Sequence, residues 1–343
     1  MTRRLLAALL LAATAPLAAQ APAPPPPVAV DPVVAALRDE ALATDSYAWD
    51  ITEGLTTEVG QRLAGTEAEA RARAWSVARL KAMGFSDVRV EEFTVTTPVR
   101  GPESAEILAP FPQRLVVNGL GGSGFTGPEG VTGEVVGFDS VDSLRLAPDE
   151  AVRGKIVFID HRMAPTQDGS GYGQFGAPRR AGPTVASNKG ALALVIRSIG
   201  TDRNRLPHVG VMEFQGGARP IPVGALSVPD AEQLERILKR GQPVTMRLRI
   251  QGRMLEATSG NVIAELPGRD PALAPVLVAC HLDSWDLGTG AIDDAAGCGI
   301  VAAAAKRIMD RGRPLRTVRI VWFGAEEIGL FGGLDYLKRH GQA

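Results

Sequence analysis

The chain has 343 residues, 45% of them hydrophobic and 22% charged, which supplies a sizeable core and excludes an intrinsically disordered protein. Its 37 basic and 38 acidic residues leave a net charge of -1, so no global field recruits nucleic acid or an anionic membrane. Two cysteines cannot make a disulfide framework.

At the amino end, two arginines within Met1–Arg4 precede an apolar run from Leu5 to Ala15 that ends among small residues at Ala18, Ala19 and Ala21. This pattern reads as a signal peptide over residues 1–21, hence a secreted or periplasmic protein. The run is too short to span a bilayer, so no stable membrane anchor is expected. Residues 22–30 form a proline-rich spacer, and the folded part is expected from Asp31.

Helical spacing follows over residues 31–43 and 65–84, the second with Ala70, Ala74, Val77, Ala78 and Leu80 on one face and Gly84 as its stop. Val88–Val95 alternates as a strand before a Pro- and Gly-rich stretch at 98–112. Between Gly130 and Gln251, short β-like runs such as Lys155–Asp160 and Ala193–Ile196 are separated by Gly-, Pro- and Arg-rich loops, which reads as an inserted, mostly β domain. Apolar strands return at Asn261–Leu266, Val276–Cys280 and Val318–Phe323, the last two bracketing a helix over 294–310. That βαβ unit predicts an α/β fold with a mixed, partly parallel sheet flanked by helices. Residues 31–129 and 252–343 would then be two parts of one domain, interrupted by 130–251. Cys280 and Cys298 fall on the strand and helix of this unit and are expected as small buried thiols rather than a bonded pair, although export would allow the bond.

The densest polar cluster, His281-Leu-Asp-Ser-Trp-Asp286, follows one apolar strand, and Asp293 and Asp294 lie just ahead of the helix. Another strand ends at Glu326 and Glu327. Loops at the carboxyl ends of strands are where α/β proteins place ligands, so one sheet edge gathers a histidine and several carboxylates. Packed carboxylates repel one another unless a cation sits among them. Imidazole with carboxylates suits zinc, whose bound water falls to a pKa of about 7, and hydrolysis follows from that chemistry. Asp283 is placed to orient the imidazole of His281 without touching metal. The side chains of Glu326 and Glu327 diverge, which lets one bind metal while the other acts as general base. Ser284 lacks the glycines of a nucleophile elbow, and Gly121-Gly-Ser-Gly124 lacks the lysine and helix start of a phosphate cradle. His161 and His208, without accompanying carboxylates, are read as loop histidines. Trp285 and Asp286 either shape a substrate pocket or pack and cap at its rim.

The segments His281-Leu-Asp283, Gly290-Ala-Ile-Asp-Asp294 and Ala325-Glu-Glu-Ile-Gly-Leu330 resemble the co-catalytic zinc aminopeptidase family, and the resemblance runs from about Tyr47 to the end. Within that family, His281–Asp286, Arg197–Asp202 and Leu206–His208 are most similar to its plasma glutamate carboxypeptidase members. The resemblance implies two zinc ions per active site bridged by Asp293, with His281 on one, Glu327 on the other and Glu326 as general base. It also implies a non-proline cis peptide after Asp293, a protease-associated-type insert matching residues 130–251, and a homodimer. One further Asp and one further His are implied beyond Glu327, where only sixteen residues follow and Asp335 and His340 are read as surface residues. The metal-binding part, 252–343, is therefore expected to be incomplete and the natural protein longer. The expected function is a secreted zinc metallo-exopeptidase acting on dipeptides or short peptides as a dipeptidase or carboxypeptidase. The alternatives are a zinc aminopeptidase and, in another class, a non-catalytic peptidase-like binding module.

Overall fold

The computed structural model describes residues 30–341, so the expected signal peptide and nearly all of the expected spacer lie outside the described residues. Helix α1, Pro32–Thr44, belongs to a unit of its own, and a second unit runs from Asp45 onward. The second unit opens with α2 (Tyr47–Gly54) and α3 (Glu67–Ala82). Thr66 caps α3 by accepting the Glu69 N–H at 3.3 Å, and Gly84, in the left-handed region at φ 93°, follows its end. Strands β1 (Ser86–Ala109), β2 (Gln113–Leu115), β3 (Val117–Gly119) and β4 (Val131–Phe138) come next. They are followed by α4 (Val141–Leu146), β5 (Ile156–Ile159), three short helices α5 (Gly171–Phe175), α6 (Ala177–Arg180) and α7 (Gly182–Asn188), and β6 (Ala193–Arg197). The chain continues through β7 (Val223–Leu226), α8 (Val228–Leu238), β8 (Thr245–Leu266), β9 (Val276–His281), α9 (Ala296–Asp310), β10 (Val318–Phe323) and α10 (Phe331–His340).

Strands β1 and β8, of 24 and 22 residues, pair antiparallel along nearly their whole lengths and belong to two sheet regions at once. The near region adds β10 against β8, antiparallel, and then β9 against β10, parallel. The far region adds β2 beside β1 and β4 beside β8, then β5, β6 and β7 in parallel, closed by β3 antiparallel to β7. Between the two regions the β1–β8 ladder breaks register at Arg100/Glu103.

Each region has its own core. In the near region Ile51, Leu55 and Leu80 of the amino-terminal helical segment and Ala302 of α9 pack on Val262, Ile320 and Trp322 of the sheet. In the far region β5 and β6 are buried on both faces, as continuous apolar parallel strands require. One face of it meets Leu234 and Ile237 of α8, and the other meets Leu144 of α4 and Ala186 of α7. The mixed sheet flanked by helices agrees with the sequence reading, and the β9–α9–β10 crossover is its parallel unit. Among the described residues no helix is long and apolar enough to cross a membrane.

The expectation of two free thiols is corrected. Cys280 and Cys298 form a disulfide, because the crossover folds the first turn of α9 back onto the end of β9 and leaves their Cα atoms 5.1 Å apart, within bridging range. The bond ties together residues 18 positions apart, with His281 and Asp293 between them.

Candidate metal centre

His281 is the last residue of β9, and Phe323, the last of β10, pairs with it in parallel register, so both chains leave the sheet at one edge. After β10 the backbone turns through Ala325, fully buried and at φ 56°. The left-handed region costs a non-glycine residue about 1–2 kcal/mol, so this turn is held by its surroundings. Those surroundings include the fully buried carboxylate of Asp283, which accepts the N–H groups of Glu326 at 3.0 Å and Glu327 at 3.2 Å. Asp293 stands in the irregular turn before α9, and its peptide bond to Asp294 is cis, as the resemblance implies. Asp294 is turned inward, accepting the N–H groups of His281 and Gly297, each at 3.1 Å.

The three proposed ligands meet: His281, Asp293 and Glu327 offer ligand atoms that all lie within 4.8 Å of one another. His281 Nδ1 is 3.1 Å from the main-chain oxygen of Asp283, and Nε2 is 2.8 Å from Asp293 Oδ1. A carbonyl can only accept, so Nδ1 carries a proton, and a neutral ring then turns the Nε2 lone pair toward a carboxylate. Such a contact needs either a second proton on the ring or a cation shared by the two atoms. The sequence reading gives the orienting role to the Asp283 carboxylate, but that carboxylate lies 3.8 Å from Nδ1, beyond hydrogen-bonding range. The main-chain oxygen of Asp283 orients the ring instead, and its carboxylate fixes the glutamate pair.

The electrostatics reflect this crowding. Burial alone lowers the His281 pKa, but the hydrogen bond with Asp293 and the fields of Asp283, Glu326 and Glu327 outweigh it and push the imidazole up to about 9. Burial, reinforced by Asp293, Asp283 and Glu326, raises Glu327 to about 8. Burial also raises Asp283 to about 6, against the two N–H groups that favour its charged form. The hydrogen bond with His281 holds Asp293 below its usual range. A cation relieves this competition, and one nitrogen with two carboxylate oxygens is a donor set that fits zinc.

In protein stripped of metal with a chelator, all three raised groups bind protons more tightly when folded than when unfolded. Their stabilisation is complete below the ordinary pKa of each and is lost as pH rises through the folded value. The melting temperature in chelator is therefore expected to fall progressively as pH rises above the ordinary carboxylate range, the losses from Asp283, Glu327 and His281 ending near pH 6, 8 and 9. A melting temperature that climbs through that window would contradict the assignment.

The cluster opens on a cleft of about 290 Å³ lined by Trp285, Leu287, Asp293 and Glu327 together with Asn204 and His208. His208, read from sequence as a loop histidine, thus faces the site, with Nε2 2.9 Å from Tyr172 Oη and 3.5 Å from Arg179 Nη1. Trp285 both lines the cleft and packs on Gly121, where a Cβ would come within 2.4 Å of the indole. Asp286 accepts two hydrogen bonds from Arg100, at 2.7 and 3.0 Å, and Arg100 also donates to Glu103 and to the Gly119 oxygen. Ser284 is fully buried, so it is not a nucleophile open to substrate. Asp335 pairs with Arg339 at 2.6 Å and His340 with Glu91 at 2.9 Å, and neither belongs to the ligand cluster. The sequence reading also missed Arg62, a fully buried residue that bonds both ends of the ligand loop.

Residues 261–343 match peptidase family M28. A peptidase M28 precursor from Shewanella amazonensis SB2B is 45% identical in sequence, and its crystal structure superposes with a TM-score of 0.86 over 90% of this chain and 70% of that one. The chain belongs to peptidase family M28. Two curated relatives of this M28 chain are carboxypeptidase Q of Bos taurus, 38% identical over 289 residues, and carboxypeptidase Q of Homo sapiens, 36% identical over 288. Each alignment covers 83% of the M28 chain and 60% of the relative, so the chain spans about 60% of the length of these proteins. A zinc aminopeptidase from Bacillus subtilis shares the fold, at 22% identity and a TM-score of 0.62 over 85% of the M28 chain and 64% of its own.

Proposed function

We propose that the chain carries the zinc centre and substrate cleft of an exported metallo-exopeptidase that hydrolyses dipeptides or short peptides, as a dipeptidase or carboxypeptidase. The supporting observation is the convergence of His281, Asp293 and Glu327 within 4.8 Å, beside Glu326 and at the margin of a small cleft. A cleft of about 290 Å³ suits a small ligand and not a folded chain.

In this reading His281, Asp293 and Glu327 would hold zinc. Bound there, zinc supplies Lewis acidity toward a water and toward the scissile carbonyl. Glu326 is left free of the ligand group, and its side chain is 38% exposed with Oε2 4.0 Å from His281 Nε2. It takes the proton of the attacking water and returns it to the leaving amine. Asp283 steadies both glutamates through their N–H groups and fixes the His281 tautomer through its own carbonyl. Residues 130–251 act as a protease-associated-type insert that brings His208 and Asn204 to the cleft. Export accords with the Cys280–Cys298 bond, since such bonds persist in oxidising compartments. Asp202 also lines the cleft, a carboxylate suited to a substrate ammonium, and favours aminopeptidase action as the second reading.

The test is to offer the zinc-loaded protein unblocked dipeptides, N-acetylated peptides and C-amidated peptides, with and without chelator. Cleavage of the first two classes but not the amides, abolished by chelator and restored by zinc, is expected. Cleavage of amides with rejection of N-acetylated peptides would select the aminopeptidase reading. Absence of chelator-sensitive cleavage in all three classes would dismiss the enzymatic one.

A further inference from the structure

We infer that Arg62 is the resident countercharge of the metal centre: its fork holds the ligand loop in place, and its charge holds the surrounding carboxylates together. The inference rests on reading His281, Asp293 and Glu327 as the ligand cluster.

Arg62 lies in the connection between α2 and α3 and is fully buried. Its Nε donates to the Leu282 oxygen, Nη1 to the oxygens of Thr289 and Gly60, and Nη2 to the Gly290 oxygen at 3.0 Å. Leu282 stands between His281 and Asp283, and Gly290 begins the turn that carries Asp293, so one planar group spans both ends of the ligand loop. The Arg62 main chain joins the same loop, donating to Ser284 Oγ and accepting the Ser284 N–H, both at 3.2 Å. Gly290, at φ 59°, makes the close approach feasible. A Cβ there would sit 2.4 Å from Ser284 Cβ and 3.1 Å from Arg62 Nη2.

A guanidinium stays protonated in proteins, and a buried charge without compensation is expensive. Among the described residues no carboxylate forms an ion pair with Arg62. Its compensation comes from the four carbonyl dipoles and from the fields of Asp283, Asp294, Glu327 and Asp293, which oppose the lowering of its pKa by burial. The attraction is mutual, so acids that would otherwise repel one another share one fixed cation. Lysine keeps the charge but cannot reach this set of carbonyls, whereas methionine fills space with neither charge nor donor.

The experiment compares thermal unfolding of wild type, Arg62→Lys and Arg62→Met in chelator and in saturating zinc, together with Asp294→Asn and the Arg62→Met/Asp294→Asn double variant in chelator. Arg62→Met is expected to lose more melting temperature in chelator than in zinc, because the metal supplies charge that the side chain no longer does. Arg62→Lys is expected to lose the same amount in both. In chelator the double variant should be less destabilised than the two single losses added together. Equal losses for Arg62→Met in both conditions, with an additive double variant, would reduce Arg62 to a hydrogen-bonding strut and overturn the inference. If Arg62→Met does not fold, Arg62→Gln, neutral but able to donate, carries the same comparisons. A wild type whose melting temperature ignores zinc would refute the metal reading, while the Arg62–Asp294 comparison in chelator would still decide the countercharge.

Discussion

Replacing Glu326 by Gln is expected to cut peptide hydrolysis by about 10²- to 10⁴-fold, the usual contribution of a positioned general base, with the zinc content of the protein unchanged. Gln preserves the volume of the side chain and leaves intact the Glu326 N–H bond to Asp283, which belongs to the main chain. What it removes is the group that accepts a proton. Glu327→Gln is the necessary contrast, because Glu327 lies inside the ligand group and its loss should release metal as well as activity. Metal analysis beside steady-state kinetics separates the two variants. A Glu326→Gln protein that keeps more than about a tenth of its activity, or that loses zinc, would assign the base role elsewhere.

Asp283→Ala is expected to be the most damaging substitution for stability near the site. It leaves the N–H groups of Glu326 and Glu327 without their acceptor in a buried setting, at about 1–3 kcal/mol for each unmatched donor. Removing the carboxylate also removes an expensive buried charge, which offsets part of that loss. The unmatched donors are expected to win, with a fall in melting temperature on the order of 5–15 °C. Asp283→Asn, which keeps an acceptor oxygen without the charge, should fall between Ala and wild type. Calorimetry of the three proteins in zinc checks the order, and an Ala variant that melts with the wild type would remove Asp283 from its supporting role.

Much of this centre was legible in the sequence because its chemistry sits where periodicity is strongest. The apolar runs ending at Cys280 and Phe323 announce parallel strands, and chain direction alone then places His281 and the two glutamates at the same edge. Contacts that depend on distant chain segments were not legible. Arg62 sits in a short connection with no periodic signal and reaches its partners across more than two hundred residues of sequence. Its only cue is a lone arginine followed by the apolar Leu63 and Ala64, between Gly60 and Gly65. His208 looks like a loop histidine because the acids it faces lie on another part of the fold. The disulfide was misread because residue type predicts burial of Cys280 and Cys298 well, while their proximity follows only from how α9 settles on β9. The division of labour at Asp283 was partly visible: the residue was picked out, but a sequence does not reveal that its carbonyl and its carboxylate serve different partners.

The paired strands β1 and β8 form a continuous beam joining the two sheet regions, and its joint lies at the register break where Gly101 and Pro102 separate Arg100 from Glu103. Arg100 at that joint grips Asp286, five residues beyond His281 and next to Trp285 on the cleft wall. One side chain, Arg100, therefore ties the register break of the sheet to the loop that carries Trp285 and follows His281.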